Sequence, residues 1–486
     1  MGTTEHLCNF VAKTTFDDIP SAVVHEAKRL ILDTLGCALG GYSTDRGQIG
    51  IKVAKELGGN PKSSIVGCGI KTSPPNAAYV NSSMGNILDY DETYLNLGHY
   101  ACPVVFSALS VGEELKCSGR DFITAVVIGY DVTARIANST GYLSSRVERG
   151  KLVRRPVSGL SYQTVGAAAS VGKTLGLGAE QLAHAFGLAA HFGPSPTLAK
   201  WTSYPKSLPM IKYGDSGWLA LGGVMASLLT QGGYTAYPSI LDGDDGFWRM
   251  YGGAECDFDI MCRKLGQEWW ILHASYKPWP SCRYTHHALT ALTKILDKEA
   301  IRREKISKIA VKGGMTWLPM FSDQDPKTIQ NAQFSLPYAV SMVVFDIKPG
   351  PLWCHPEVMN NPEFKAFRKK VILESDPEFI DAFIEQITRT PPKFIKRVPV
   401  TVTVITEDGE FSESVEYATG DPDSWAPREF AITDEGLAKK FKINATNVLG
   451  CSSSGKDRID EIVRVVNRLE EVSNLADLAE LLSALH

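Results

Sequence analysis

Ser216-Gly-Trp-Leu-Ala-Leu-Gly-Gly-Val-Met-Ala-Ser-Leu-Leu-Thr230 is built almost wholly of small and apolar residues. A helix of that composition has no polar face to turn to water, so it must be buried on most sides. Its small side chains let other helices approach closely, and the surrounding sequence supplies them. Ser21 to Gly41 carries Val24, Ala27, Leu30, Ile31, Leu35 and Leu39 on one stripe and ends in a Gly-Gly stop. Ala77 to Leu88, Val104 to Leu115 and Arg120 to Ala137 repeat the pattern, as do Ser161 to Leu175 and Ala179 to Ala190. These segments predict a compact multi-helix domain, part of whose small-residue surface faces a second subunit.

The character changes after residue 276. Ile306 to Lys312 alternates as a half-buried strand does, and Val398 to Thr406 does the same. Glu407-Asp408-Gly409-Glu410 then reads as a hairpin turn returning through Phe411 to Tyr417. Ser335 to Val344, Pro362 to Val371 and Pro377 to Gln386 read as helices between the strands. Beyond Gly420-Asp-Pro422, helical signals resume over Asp434 to Lys442 and Lys456 to Leu482, in a tail expected to pack back on the first domain. The fold class expected is mainly α: a large all-helical domain (residues 1–275 with 431–486) plus a smaller α+β lid (276–430).

With 486 residues the chain can bury large cores. Its net charge of −4, with charges scattered, leaves no basic footprint for nucleic acid. No run of about 18 apolar residues predicts a membrane span, and Met1 to Asp18 lacks a signal peptide's basic start and apolar run. None of the 10 cysteines forms a Cys-x-x-Cys pair; Cys256 and Cys262 are the closest two, and nothing near them completes a zinc site. Cys37, Cys68 and Cys117 are expected to be reduced and buried, in the cytoplasm or another reducing compartment. Neither a disulfide framework nor a structural metal is expected.

Three clusters carry candidate chemistry. Lys277-Pro-Trp-Pro-Ser-Cys-Arg-Tyr-Thr-His-His287 gathers three kinds of cationic group around two prolines, just ahead of a helix predicted over Thr285 to Leu296. Cations beside a helix N-terminus suit a carboxylate or phosphate; a packed turn with two surface histidines is the alternative. Leu88-Asp-Tyr-Asp-Glu-Thr93, followed by Gly98-His99, sets acids and a histidine at the end of an apolar helix. Such acids cap a helix, bind a metal or orient a histidine, and the spacing leaves these open. Met210-Ile-Lys-Tyr-Gly-Asp-Ser-Gly217 places Lys212 and Asp215 at the mouth of the Ser216–Thr230 helix. Desolvation there would suit a lysine to acid–base work, against the alternative of a plain surface lysine. No Gly-x-x-x-x-Gly-Lys-Ser/Thr, Gly-x-Ser-x-Gly or His-Glu-x-x-His occurs.

Taken together, these clusters resemble the MmgE/PrpD family. The matching pieces, in family order, include Ile31-Leu-Asp-Thr-Leu-Gly-Cys37, Leu88 to Thr93 with His99, Gly129-Tyr-Asp131 and Gly172-Lys-Thr-Leu-Gly-Leu177. The Lys212 segment, Lys277 to Cys282, Gln333-Phe-Ser-Leu-Pro-Tyr338 and Gly420-Asp-Pro422 complete them, so the resemblance spans roughly residues 20 to 445. It implies a helical domain with an α+β lid, a homodimer, no metal or organic cofactor, and an active site between the domains. Asp89, His99, Lys212 and Lys277 fall on the family's active-site positions and His286 near a family histidine; Thr93, Cys282, Arg283 and His286 are the candidates for contact with substrate. One position departs: where the family usually has a histidine, in a His-x-x-Ala setting, this chain has Val157. Tyr162, nearby, would offer a phenolic proton instead.

Family members that include 2-methylcitrate dehydratase, cis-aconitate decarboxylase and iminodisuccinate epimerase share one difficulty, a carbanion-like charge beside a carboxylate. Meeting it takes a positioned base and cations where the charge spreads. Lys212, Lys277, Arg283 and His286 would bind a di- or tricarboxylate, and Asp89 would orient His99. The function expected is a cofactor-independent lyase on a small di- or tricarboxylate, with a hydro-lyase of the 2-methylcitrate or citrate kind first and a cis-aconitate-type decarboxylase beside it. An epimerase of a dicarboxylate, and a non-catalytic carboxylate-binding homologue, are the alternatives.

Overall fold

The structure is a computed structural model that describes residues 2–95, 98–140, 145–148, 151–154, 160–193, 207–251, 253, 255–313, 319–388, 394–450 and 452–483. Val157, the departure from the family pattern, lies outside the described residues.

The buried heart of the helical part is a stack of long helices. Gly119–Ser139 packs along Tyr162–Thr174, and Ser216–Gln231 packs on Pro74–Ile87, Tyr162–Thr174 and Ala179–Phe192. Small residues make these approaches possible. A Cβ on Gly166 would sit 1.7 Å from Thr133 Oγ1 and 2.8 Å from the Gly129 carbonyl, so the seam between the first two helices closes only around glycine. Local chemistry sets the ends. Ser118 and Asp121 form a capping box at the start of Gly119–Ser139, and Pro74 occupies the first turn of Pro74–Ile87, where its missing N–H costs nothing. Ser21–Gly41 runs between the bounds read from its apolar stripe. The C-terminal helix Asp434–Leu449 packs along it, so the tail does return to the helical part.

The α+β part holds a four-stranded sheet in the order Gly409–Val415, Val400–Thr406, Ile306–Gly313, Val371–Glu374. The first three strands pair antiparallel, and Val371–Glu374 pairs parallel with Ile306–Gly313. Val400, Val402 and Val404 point to the core, where the helix His286–Lys298 packs on the sheet. On the other face the hydroxyls of Thr401 and Thr403 meet those of Ser414 and Ser412 across the strands. Thr406 pairs with Gly409, leaving a two-residue turn of Glu407 and Asp408, so the return strand starts two residues before the predicted Phe411.

Three readings of the sequence are corrected. The helix expected to run to Val371 stops at Arg368, and Val371 opens a strand instead. Lys456 to Leu482 is not one helix but two, Ser453–Asn467 and Leu475–Leu482, with Asn474 capping the second. Ser335 to Val344 is preceded by a separate helix, Ile329–Phe334, and Ser335 caps the next one at Leu336.

Among the described residues no helix is long and apolar enough to cross a membrane. The nine described cysteines are free thiols; Cys37 and Cys68 are buried and Cys117 is partly exposed.

Candidate active site

Two extended segments are zipped together at the floor of the site. Thr93–Tyr94 pairs antiparallel with Ala274–Ser275, Thr93 opposite Ser275 and Tyr94 opposite Ala274. This short ladder brings the acid-rich loop after Pro74–Ile87 alongside the segment that begins at Lys277. Gly420 secures the second segment from the lid side. It has φ +98°, its carbonyl accepts the Tyr276 N–H at 2.9 Å, and any Cβ there would lie 1.7 Å from the Tyr276 carbonyl.

Asp89 is the hub. It follows the helix end at Ile87 in a left-handed turn with φ +52°, a conformation that costs an L-residue about 1–2 kcal/mol and calls for compensation. The compensation is ionic. Lys212 Nζ lies 2.9 Å and Lys277 Nζ 3.2 Å from Asp89 Oδ1, and both lysines are fully enclosed. Lys277 also donates to the Asp89 carbonyl at 2.8 Å, and Lys212 to the Asn86 carbonyl at 3.1 Å. His99 stands between two acids, Nε2 at 3.3 Å from Asp89 Oδ1 and Nδ1 at 3.3 Å from Asp91 Oδ2. Its ring stacks against Tyr213, beside Lys212.

The charges follow from this geometry. Burial would push the Asp89 carboxyl up, but Lys212, Lys277 and His99 overcome it and hold the group well below the usual carboxylate range. Asp91 is likewise buried and is held low chiefly by His99. Glu92 behaves oppositely: burial and the nearby Asp91 charge push it up to about 8, although its carboxylate accepts the N–H groups of Tyr100 and Ala101. The site thus gathers two carboxylates, two lysines and a histidine, all of them buried. Asp89, Asp91 and His99 converge to within 4.8 Å, a spacing a metal ion can use, but Lys212 and Lys277 both stand on one of the Asp89 oxygens. Like charge so close favours an anionic ligand over an added cation.

Several atoms here lack partners. Asp89 Oδ2, Thr93 Oγ1 and Gln333 Oε1 are buried with no hydrogen bond. Unsatisfied buried polar atoms are costly, and each calls for a partner such as water or a ligand.

The remaining residues singled out from the sequence have other neighbours. Arg283 turns away from Lys277: it pairs with Asp421 and donates to the carbonyls of Thr419 at 3.1 Å and Ala418 at 3.4 Å. Both ring nitrogens of His286 face carbonyls, Nδ1 that of Cys282 and Nε2 that of Trp279, each at 3.1 Å. Burial, with Arg283 and Lys277 nearby, holds this ring well below the ordinary histidine range, so it stays neutral. Burial and the Asp89 charge push the Cys282 thiol up to about 12, and its backbone N–H is tied to Gln333. The Tyr162 hydroxyl lies 3.4 Å from that of Tyr100, the residue after His99. Asp215 caps the Ser216–Gln231 helix and pairs with Arg46.

Residues the sequence reading passed over complete the arrangement. Asp91 holds the second nitrogen of His99. Gln333 donates to the Ile87 carbonyl at 2.7 Å, tying the lid to the helix end before Asp89. The run of acids around Asp91 was visible in the sequence, and Gln333 lay within a family motif, but nothing local showed what either would touch.

A helical part and an α+β lid meeting over a lysine–carboxylate cluster define the class of protein. The chain belongs to the MmgE/PrpD family: the family's N-terminal domain matches residues 5–259 and its C-terminal domain residues 279–468. Among curated proteins it is similar to a cis-aconitate decarboxylase of Aspergillus terreus, 24% identical over 99% of this chain and 96% of that protein. Cis-aconitate decarboxylases of Mus musculus and Homo sapiens are also 24% identical, over 99% and 95% of this chain and 93% and 90% of theirs.

Proposed function

We propose that the protein is a lyase that acts on a small di- or tricarboxylate at the Asp89 cluster without a metal or organic cofactor, decarboxylation of a cis-aconitate-like substrate being the first form to test. The observation that carries this reading is the pair of buried ammonium groups, Lys212 and Lys277, held 2.9 and 3.2 Å from one Asp89 oxygen beside His99. The relatives named as cis-aconitate decarboxylases support that form over the hydro-lyase expected from the sequence.

The reaction asks little of the protein beyond placement and charge. The lysines bind carboxylates of the substrate and stabilise negative charge as it develops. One carbon–carboxylate bond breaks and carbon dioxide leaves. The electron pair stays on an allylic carbon, and a proton from His99 or Lys212 completes the product. Asp91 and Asp89 flank the two ring nitrogens of His99 and fix its orientation. In a hydro-lyase the same groups would remove an α-proton and protonate a departing hydroxyl. An epimerase would need its two proton carriers on opposite faces of the substrate, whereas Lys212 and His99 meet at the same Asp89 oxygen, which supports the lyase reading over it. Arg283, His286, Cys282 and Thr93 would shape the site around the substrate, Thr93 with its free hydroxyl directly.

The test is proton NMR in deuterated water with cis-aconitate, citrate, 2-methylcitrate and aminodicarboxylates offered in turn. Itaconate-type vinyl signals from cis-aconitate support decarboxylation. New vinyl signals from a hydroxy acid would move the reading to a hydro-lyase. Deuterium entering an α-position with the skeleton intact would move it to an epimerase, and no change in any substrate contradicts the proposal.

A further inference from the structure

Three lysines from three distant segments converge on one short stretch of backbone. Lys212 donates to the carbonyl of Asn86, Lys277 to that of Asp89, and Lys440 to that of Tyr90 at 2.6 Å. The first two also touch the Asp89 carboxylate; Lys440 does not. It projects from the C-terminal helix Asp434–Leu449, buried, with its Nζ 2.6 Å from Asp33 Oδ1 and 4.0 Å above the Tyr90 ring. Asp33 lies in the Ser21–Gly41 helix, which that C-terminal helix packs along. The Tyr90 hydroxyl in turn donates to the Pro278 carbonyl at 3.1 Å, next to Lys277.

We propose that Lys440, neutralised by Asp33, is a positioning residue of this site: it fixes the Tyr90 carbonyl, and so the left-handed turn that presents the Asp89 carboxylate to Lys212 and Lys277. The physical argument is that the left-handed region, though less costly for an aspartate than for most residues, still lies above the right-handed one. Its neighbours must over-determine the turn. Two of the three donors would be drawn toward an incoming carboxylate. Lys440 contacts Asp33 and the Tyr90 carbonyl and not the Asp89 carboxylate, so it is placed to hold the turn while substrate binds. It also makes the C-terminal tail a working part of the site, since this is the segment that crosses back from the lid to supply the lysine. Catalysis at Asp89 rests on the function proposed above; the geometry of the turn does not.

The experiment is the pair of substitutions Asp33→Asn and Lys440→Met in one full-length chain, which removes both charges together and leaves neither buried alone. The crystal structure of this variant is expected to show Asp89 out of the left-handed region. With the substrate identified for the wild type, kcat is expected to fall between about tenfold and a hundredfold while KM stays within about threefold, the mark of misplaced reacting groups and not of lost binding. An Asp89 turn that stays in place overturns the proposal, whatever happens to turnover. If the wild type processes none of the substrates, the functional reading fails, and the turn still decides the role of Lys440. Should the variant not fold, Asp33→Asn with Lys440→Gln takes its place: the turn is expected to hold where the new amide still donates to the Tyr90 carbonyl and to be lost where it does not. A turn that persists there with the Tyr90 carbonyl left without a donor contradicts the role.

Discussion

Two buried groups of charges take Lys277 and Arg283, six residues apart along the chain, and are built on opposite principles. Around Arg283 everything is matched: its guanidinium meets Asp421 and the carbonyls of Ala418 and Thr419, while Asp421 also accepts Ser275 Oγ and the Ala418 N–H. Asp131 and Arg135 repeat the scheme, with Asp131 accepting the Trp270 N–H at 2.9 Å and Arg135 donating to the carbonyls of Met261, Arg263 and Glu268. Around Asp89 the contacts crowd onto one oxygen and leave the other, with Thr93 Oγ1, unpartnered. A saturated buried pair locks segments together. A cluster left partly open keeps binding capacity for something not yet there.

The comparison breaks first at Lys212. Lys212→Ala is expected to lower kcat by about 10²- to 10⁴-fold, because it removes both a charge facing the substrate and a proton carrier; steady-state kinetics on the substrate found by NMR checks it. Turnover within threefold of wild type would remove Lys212 from the mechanism. Arg283→Met should do the reverse. Leaving Asp421 buried and unpaired is expected to cost about 3–5 kcal/mol of stability, seen in urea unfolding, with little change in KM for the folded protein. A selective rise in KM would instead give Arg283 a direct hold on substrate.

Glu92 sharpens the contrast through pH. Its folded pKa of about 8 lies above the ordinary value of 4.5, so between these limits the folded state holds more protons than the unfolded one. The stability this contributes is present below about 4.5 and is lost as pH rises through 8. Asp89 and Asp91, held low, contribute in the opposite window: their stability is present above the ordinary carboxylate value and lost in acid. Melting temperature should therefore decline from pH 7 to 9, above the range in which His286 and the other histidines that burial holds low titrate in the unfolded chain, and Glu92→Gln should flatten that decline; an unchanged slope would contradict the assignment. The smallest effect belongs to an exposed pair. Lys305 meets Asp408 at the hairpin, and Lys305→Ala should change stability by less than about 1 kcal/mol, with no effect on turnover.

Much of this molecule could be read in advance, and the reasons are local. The Ser21–Gly41 helix announced itself by an apolar stripe and a Gly-Gly stop. The Val400–Thr406 strand announced itself by alternation and a turn. Val371–Glu374 did not, because Phe364, Phe367 and Val371 continue a helical spacing and a parallel partner needs no hairpin signal. The site followed the same rule. Asp89, His99, Lys212 and Lys277 stood in clusters or on motif positions, and the fold brings these four together. The separation of Lys277 from Arg283 was not legible, since six residues apart on a bend says nothing about which acid each side chain reaches. Nor was Lys440, whose partners Asp33 and Tyr90 lie hundreds of residues away and which sits in an ordinary charged helix.

The most direct test of the central claim is a crystal structure of the protein with a bound tricarboxylate such as citrate. The account predicts a carboxylate within about 3 Å of the Lys212 and Lys277 ammonium groups, with the Thr93 hydroxyl taken up as a hydrogen-bond partner. A tricarboxylate bound elsewhere, with the Asp89 cluster unchanged and closed, would contradict it.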